Sequence, residues 1–532
     1  MVEYGVGTLG SLLPEIILLF GGLLILIMDM GQQKNQAYKK DTGTSFMAVS
    51  VLFLIVALIG AILQWRGFVD GAGFNNSATK AYVAMSVIDV DHLTVFFKVI
   101  LYVGMTLVAV AGGSYMNRIS PVNGRGEFWS LFLFITLAMS LAASASNLIM
   151  LFLAFEFLSI GSYILVGIQR DTKRSSEAGL KYFLYGSIAS SVMLYGMSLL
   201  YGASGSLDLR EIATGLSSSP EIAVIAAPAI LLVLVGVGFK MSLVPFFQWA
   251  PDTYEGAPTP ITAYLSTASK TVGFAIATRI FLMGFGGFRT EWVPILAGLA
   301  ILTMTVGNLM ALRQENVKRM LAYSSVAQAG YILMGLVSVV TVSGATNSQV
   351  DINTLGMNGL NGMLIYLFAY VFTNVGAFMV VMAIEEETGN AERASFKGLM
   401  QRSPFLALSM LIFLLSLTGI PLTGGFIGKF YVFGAAIQHQ YWLLAIAGFI
   451  NSGIAAGYYL PVVGAMLFGD DEDAESADDA AVATVPSRLN ISISLQSALA
   501  ICVIATLVIG TYQPNFIAWA DNASRDFLAL IP

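Results

Sequence analysis

Fourteen apolar stretches, each close to the ~20 residues that a bilayer-crossing helix needs, fill most of this 532-residue sequence. They run over 11–30, 45–65, 92–113, 128–146, 147–168, 178–203, 222–249, 260–286, 292–312, 319–343, 357–384, 404–433, 441–468 and 491–513. A membrane interior offers no water to free backbone N–H and C=O groups, and a run of this length satisfies them within itself as an α-helix. The expected fold is therefore an all-α integral membrane protein with about 14 transmembrane helices. Composition agrees: 57% of residues are hydrophobic and 11% charged, against about 25% charged in a soluble domain. The stretch 128–168 is one long run, divided at Ser144-Ala145-Ser146-Asn147. The first residues, MVEYGVGTLG, hold no basic cluster, so Ser11–Met30 reads as a retained helix rather than a cleaved signal.

Fourteen crossings place both termini on one side. With the N-terminus outside, the inner loops hold fifteen lysines and arginines and the outer loops and tail five. The positive-inside rule then turns both termini outward. The run Asp470–Asp479, with seven acids and no metal-loop spacing, is expected to be a solvated inner loop. His92 and His439 are far apart and Cys502 is the single cysteine, so neither a metal cluster nor a disulfide framework is expected. The sequence holds no nucleotide-binding loop, haem motif or nucleophile triad, and nothing in it points to nucleic acid.

Charge within the spans is scarce. Of 26 lysines and arginines, six lie inside them: Lys98, Lys181, Lys240, Lys270, Arg279 and Lys429. Glu156 is the acid farthest from a span end, nine residues in, or about 14 Å at the helical rise. A lysine at mid-bilayer costs ~2.5–3.5 kcal/mol on insertion scales, so it is rare and usually functional. The stretch Phe239–Lys270 concentrates these features: Lys240 and Lys270 flank Pro245, Pro251, Gly256, Pro258 and Pro260. Helix breakers at membrane depth are tolerated only inside protein or beside a polar cavity. Spans seven and twelve would each exceed about 40 Å as straight helices, against a ~30 Å core. Each carries breakers beside its lysine, Pro245 near Lys240, and Gly419, Pro421, Gly424 and Gly425 before Lys429.

Broken helices at matching places point to inverted repeats around a midplane site. A faint echo between GSYILVG at 161–167 and AGYILMG at 329–335 agrees. The expected organisation is a three-helix segment (1–127), a first repeat of spans 4–8 (128–286) and a second of spans 9–13 (287–468). The acidic loop, last span and outer tail (469–532) complete it.

A carboxyl such as Glu156 in apolar surroundings favours its neutral form unless a cation pairs with it, and Lys240 is the candidate partner. Such a pair, opening and closing, is a usable proton switch. The alternative for Glu156 is a neutral carboxyl hydrogen-bonded to a helix neighbour; for Lys240 and Lys270 it is snorkelling. Lysine suits proton relay because a desolvated ammonium gives up its proton readily. Lys429 is analogous to Lys240. Lys181, four residues into its span, reads equally as a proton-uptake group or a snorkelling side chain. Lys98 and Arg279 read as structural.

At these residues the sequence resembles the antiporter-like subunits of respiratory complex I, the proton-translocating NADH–quinone oxidoreductase. The resemblance runs from Leu13 through the last span, on LFLAFEFLSIGSYILVG, GVGFKMSLVPFFQWAPDTYEGAPTPITAYLS, NVKRMLAYSSVAQAGYILMG and LTGIPLTGGFIGKFYVF. It implies that Glu156 pairs with Lys240, that Lys270 is central and that Lys429 ends the path. The lysine at 429 and the stop soon after the last span are most similar to the subunit N branch. The resemblance also implies a multi-subunit partnership with neighbouring antiporter-like and small membrane subunits, in lipid, in a bacterial inner membrane with both termini periplasmic. NADH, FMN, iron–sulfur clusters and quinone would belong to partner subunits, with no cofactor in this chain. Many relatives have histidine where this chain has Gln328, which cannot titrate, so that position is not assigned a relay role. A multi-subunit cation/proton antiporter shares the fold and the lysines and is the other expectation.

Overall fold

The computed structural model describes residues 10–32, 42–70, 82–84, 87–119, 125–217, 220–339, 357–468, 489 and 491–531. The acidic run 470–479 lies outside them. Among the described residues, twelve helices are long and apolar enough to cross a membrane. They are α1 (Leu13–Gln32), α2 (Thr42–Asp70), α3 (His92–Ile119), α4 (Arg125–Ser144), α5 (Leu148–Val166), α6 (Lys173–Ser204), α8 (Pro220–Met241), α12 (Arg289–Ala311), α13 (Val317–Val337), α14 (Gly359–Thr388), α18 (Trp442–Phe468) and α19 (Ile493–Thr511). The run 128–168 does divide at Ser144–Asn147. Asn147 caps α5 by accepting the Ile149 N–H at 2.9 Å, an Asn N-cap role. The helices α3, α13 and α14 are buried almost throughout and form the centre, whereas α1, α2, α6 and α18 leave much of their apolar surface outward.

Two regions are helical but interrupted. After α8 the chain turns at Ser242, whose φ is 57°, and the amide of Val244 is satisfied by Thr303 Oγ1 at 3.0 Å. A short helix, α9 (Trp249–Gly256), follows. Then α10 (Thr259–Tyr264) starts on Pro260, and a π-helical turn (Leu265–Ser269) leads into α11 (Lys270–Arg279) and a second π turn (Ile280–Gly284). The other region is α16 (Pro404–Thr418) and α17 (Gly424–Gln438). Gly419 ends α16 with φ 95°, a conformation that glycine adopts without a Cβ clash. A Cβ on Gly425 would lie 2.0 Å from Ser416 O, so only glycine lets the start of α17 fold back on the end of α16. A short α15 (Leu399–Arg402) precedes them.

Two short helices lack the long apolar run that marked the spans. α7 (Leu209–Leu216) is capped by Asp208. α20 (Pro514–Leu528) lies in the expected tail and packs Trp519 against Phe96 of α3, with ring centroids 4.2 Å apart and the planes tilted by 38°. A two-stranded ribbon, β1 (Tyr82–Ala84) with β2 (Ile88–Val90), precedes α3.

Candidate functional site

Three lysines, Lys240, Lys270 and Lys429, sit at helix interruptions, each almost fully buried. Lys240, in the last turn of α8, donates to Ser159 Oγ of α5 at 3.1 Å and reaches Tyr182 OH of α6 at 3.5 Å. Its ammonium also lies 5.3 Å from the centre of the Phe155 ring, within cation–π range. Glu156 is one helical turn from Ser159, the hydroxyl that holds Lys240. No salt bridge joins Glu156 and Lys240, whose ammonium bonds to Ser159 and Tyr182, and Glu156 Oε1 is buried without a hydrogen-bond partner among the described residues. The expected pair is thus adjacent but open, with Ser159 holding the lysine.

Lys270 opens α11 directly after the π turn. An i→i+5 turn widens the helix and re-aims the residues around it. The ammonium donates to Ser325 O at 2.6 Å and to Ser325 Oγ at 2.9 Å, both on α13. The turn itself is pinned by Asn374 of α14, which donates to Ser266 Oγ at 2.7 Å. Tyr264, six residues before Lys270, shares a 2.5 Å hydrogen bond with Ser162 of α5. That contact links the Lys270 helix to the helix facing Lys240.

Lys429 on α17 donates to Leu417 O at 3.0 Å and Thr418 O at 2.9 Å, the last carbonyls of α16. A helix C-terminus carries unsatisfied carbonyls and partial negative charge, so it suits a cation. Tyr331 lies under the same ammonium at 4.5 Å. Gln328, one turn along α13 from Ser325, donates to Leu417 O at 3.0 Å and accepts from Tyr366 OH. Leu417 O therefore accepts from both Gln328 and Lys429, and α13 carries a polar connection from Lys270 to Lys429. Sequence reasoning set Gln328 aside because it cannot titrate; its amide nevertheless fills the space between the two lysines.

Lys181 lies elsewhere. It is 39% exposed and bridges Glu177 and Asp252, each at 2.7 Å. Arg319 binds the other oxygen of Asp252 at 2.8 Å and Glu255 at 2.7 Å. Burial alone raises the Asp252 carboxyl, but hydrogen bonds from Lys181 and Arg319 outweigh it and hold it below the usual carboxylate range. Three buried charges, Lys318, Glu15 and Asp91, escaped the sequence reading, and two of them pair with Lys98 and Arg279, which it had read as structural. Lys318 is 2% exposed and donates to Ala257 O at 2.8 Å, with Glu385 at 3.4 Å. Glu15 of α1 meets Lys98 of α3 at 2.7 Å, and Arg279 meets Asp91 at 3.0 Å. Glu15 counted as a span-end residue because only the helices around it reveal that it is covered. Among the described residues no group of His, Cys, Asp or Glu is arranged to hold a metal.

The family model described as "NADH:quinone oxidoreductase/Mrp antiporter, TM" matches residues 145–455, the region holding every one of these lysines except Lys98. NADH-quinone oxidoreductase subunit N of Desulforamulus reducens is 38% identical over 89% of this chain and 91% of its own length. A chain of respiratory complex I from Thermus thermophilus is 28% identical, with a TM-score of 0.71 over 93% of this chain and 96% of that one. A chain of the Mrp complex from Dietzia superposes with a TM-score of 0.81 over 98% of this chain and 99% of that one, at 19% identity, a likeness of fold alone. From the buried lysines at helix breaks and the extent of these matches, the chain belongs to the NADH-quinone oxidoreductase subunit N family, within the broader NADH:quinone oxidoreductase/Mrp antiporter transmembrane family.

Proposed function

We propose that this chain is a membrane-arm subunit of complex I that translocates protons along Glu156, Lys240, Lys270 and Lys429, driven by quinone reduction in partner subunits. The observation that carries the reading is the buried polar connection at the breaks: Lys240 on Ser159, Tyr264 on Ser162, Lys270 on Ser325, and Gln328 with Lys429 on Leu417 O. Each lysine rests on hydroxyl or carbonyl oxygens, which accept from an ammonium or a neutral amine alike, so either protonation state keeps its partners. Lys181 stands at the exposed end of α6 as an uptake group, held by Asp252 in the described state. The inverted five-helix repeats, with α8–α9 and α16–α17 as the paired interruptions, are part of the same reading.

NADH, FMN, iron–sulfur clusters and quinone are assigned to partner subunits, and the membrane is a bacterial inner membrane with both termini periplasmic. Neighbouring subunits and lipid would cover the outward apolar surface, such as Ile149, Leu153, Phe157, Ile160 and Ile164 of α5. Affinity purification of the tagged chain from its own membrane tests the assignment. Recovery with flavin- and iron–sulfur-bearing subunits is the expected result. Recovery only with other cation/proton antiporter subunits would overturn it in favour of the antiporter reading.

A further inference from the structure

The path through Lys240, Lys270 and Lys429 leaves one buried ion pair unused. Glu15 and Lys98 are 4% and 0% exposed and 2.7 Å apart, joining the first turn of α1 to α3 inside the protein. Ser140 of α4 donates to Glu15 Oε1, and Tyr102 shares a 2.7 Å hydrogen bond with the same Ser140. Asp91, just before α3, and Thr94, Lys98 and Tyr102 within it recur at steps of three and four and so share one face. That face is capped by Arg279, which binds Asp91 and Thr94 and donates to Ala143 O at 2.8 Å.

The polar face has a definite height relative to Lys270. The helix carrying Lys270 runs antiparallel to α3, and two contacts fix their alignment. Gly112 sits against Pro260, where a Cβ would come within 2.6 Å of it, and Thr94 sits against Arg279. Counting ten residues from the first contact along each helix reaches Tyr102 on α3 and Lys270 on its partner. Tyr102 and Lys270 therefore both lie near the middle of the length between the two contacts, and Tyr102 is close to the level of Lys270. From there the face leads to Asp91 and Asp89, and Asp89 meets the half-exposed Arg210 at 2.5 Å.

The three acids along this face, Asp91, Glu15 and Asp89, differ. Both oxygens of Asp91 are engaged, by Arg279 and by the Thr94 amide at 2.7 Å, as in a structural clamp. Glu15 Oε2 has no hydrogen-bond partner among the described residues, nor has Asp89 Oδ1. A buried ion pair is an expensive way to join helices, and one that leaves a carboxylate oxygen unfilled gains less from it. We infer that Glu15 and Lys98 form a second proton-transfer site, leading from the level of Lys270 to the end of the molecule that holds Asp89 and Arg210. A proton reaching Glu15 Oε2 neutralises the carboxylate. Lys98, then an unpaired ammonium in apolar surroundings, releases its own proton toward Asp89. Transfer from Glu15 to Lys98 restores the pair, so one proton enters and one leaves.

This inference rests on the proposed proton-translocating role, and the test separates the two. The double variant Glu15→Leu with Lys98→Met keeps the packing and removes both charges. In the assembled complex, reconstituted in vesicles, protons moved per electron are measured for it, for Glu15→Gln and for Lys270→Ala. The expected result is normal assembly and quinone reduction with fewer protons per electron in all three. A wild-type ratio in the double variant beside a lowered ratio in Lys270→Ala would make Glu15–Lys98 a structural tie and overturn the inference alone. Wild-type ratios in all three would overturn the translocation role itself. If the double variant does not assemble, Glu15→Gln, which retains the shape and the Ser140 contact, decides in the same way.

Discussion

Lys270 and Lys429 have hydroxyl and carbonyl oxygens as partners instead of counter-ions. Arginine at either place would stay charged and could not pass a proton on. Lys240 differs only in having Glu156 nearby. If the open pair closes during turnover, Glu156→Gln and Lys240→Ala will be coupled, with an interaction of about 0.5–3 kcal/mol between contacting sites. A double-mutant cycle on assembly yield and heat stability reads this; strictly additive effects would show that the two residues do not communicate. Gln328 makes a separate prediction. Gln328→Ala orphans Tyr366 OH and part of Leu417 O, which costs about 1–3 kcal/mol for a buried group. It should lower the unfolding temperature of the assembled complex, and an unchanged temperature would contradict the bridging role. The lysines were legible in the sequence because charge is rare in an apolar run. Their partners were not, since hydroxyls and backbone carbonyls carry no sequence signal at a distance.

The interruptions are what bring these groups together. Gly419 ends α16 with φ 95°, so its two final carbonyls point at Lys429. Gly419→Ala forces an L-residue into that region at a cost of roughly 1–2 kcal/mol. Gly389 also has positive φ, 76°, at the end of α14, with open space around it. Gly389→Ala should therefore match the stability loss yet leave proton translocation intact, whereas Gly419→Ala should impair both. Equal translocation in the two variants would separate the α16 terminus from function. At α9, Asp252 is held below the usual carboxylate range by Lys181 and Arg319. A lowered carboxyl adds stability above its unfolded value, ~3.9, and loses it as pH falls through the folded one. Asp252→Asn should thus destabilise at neutral pH, by about 0.2–1 kcal/mol for so exposed a network, and the difference should vanish in acid. The breakers Pro260, Gly419 and Gly425 could be read from the sequence. The π turn before Lys270 could not, since its tie to Asn374 is a contact between residues 108 positions apart.

Among the described residues, two groups of buried charge stand out besides Lys318 with Glu385. One runs through the family-matched region from Lys240 to Lys429; the other, Glu15–Lys98 with Arg279–Asp91, ties α1, α3 and α4 to the bent helix. The apolar pattern located the long helices because length and hydropathy suffice for them. It missed α7 and α20, which are short and amphipathic, and it treated Glu15 as a span-end residue and Lys318 as an inner-loop residue because coverage by other helices is a tertiary property. Orientation is testable from the charge bias: a cysteine at 475 should label only from the inner face, and labelling from outside would reverse the topology. The most direct measurement of the central claim is the number of protons moved per electron by a fully assembled complex carrying Lys270→Ala, beside Lys270→Arg and wild type. Both variants should assemble and reduce quinone while moving fewer protons per electron. A wild-type ratio in a correctly assembled Lys270→Ala complex would contradict proton passage through the buried lysines.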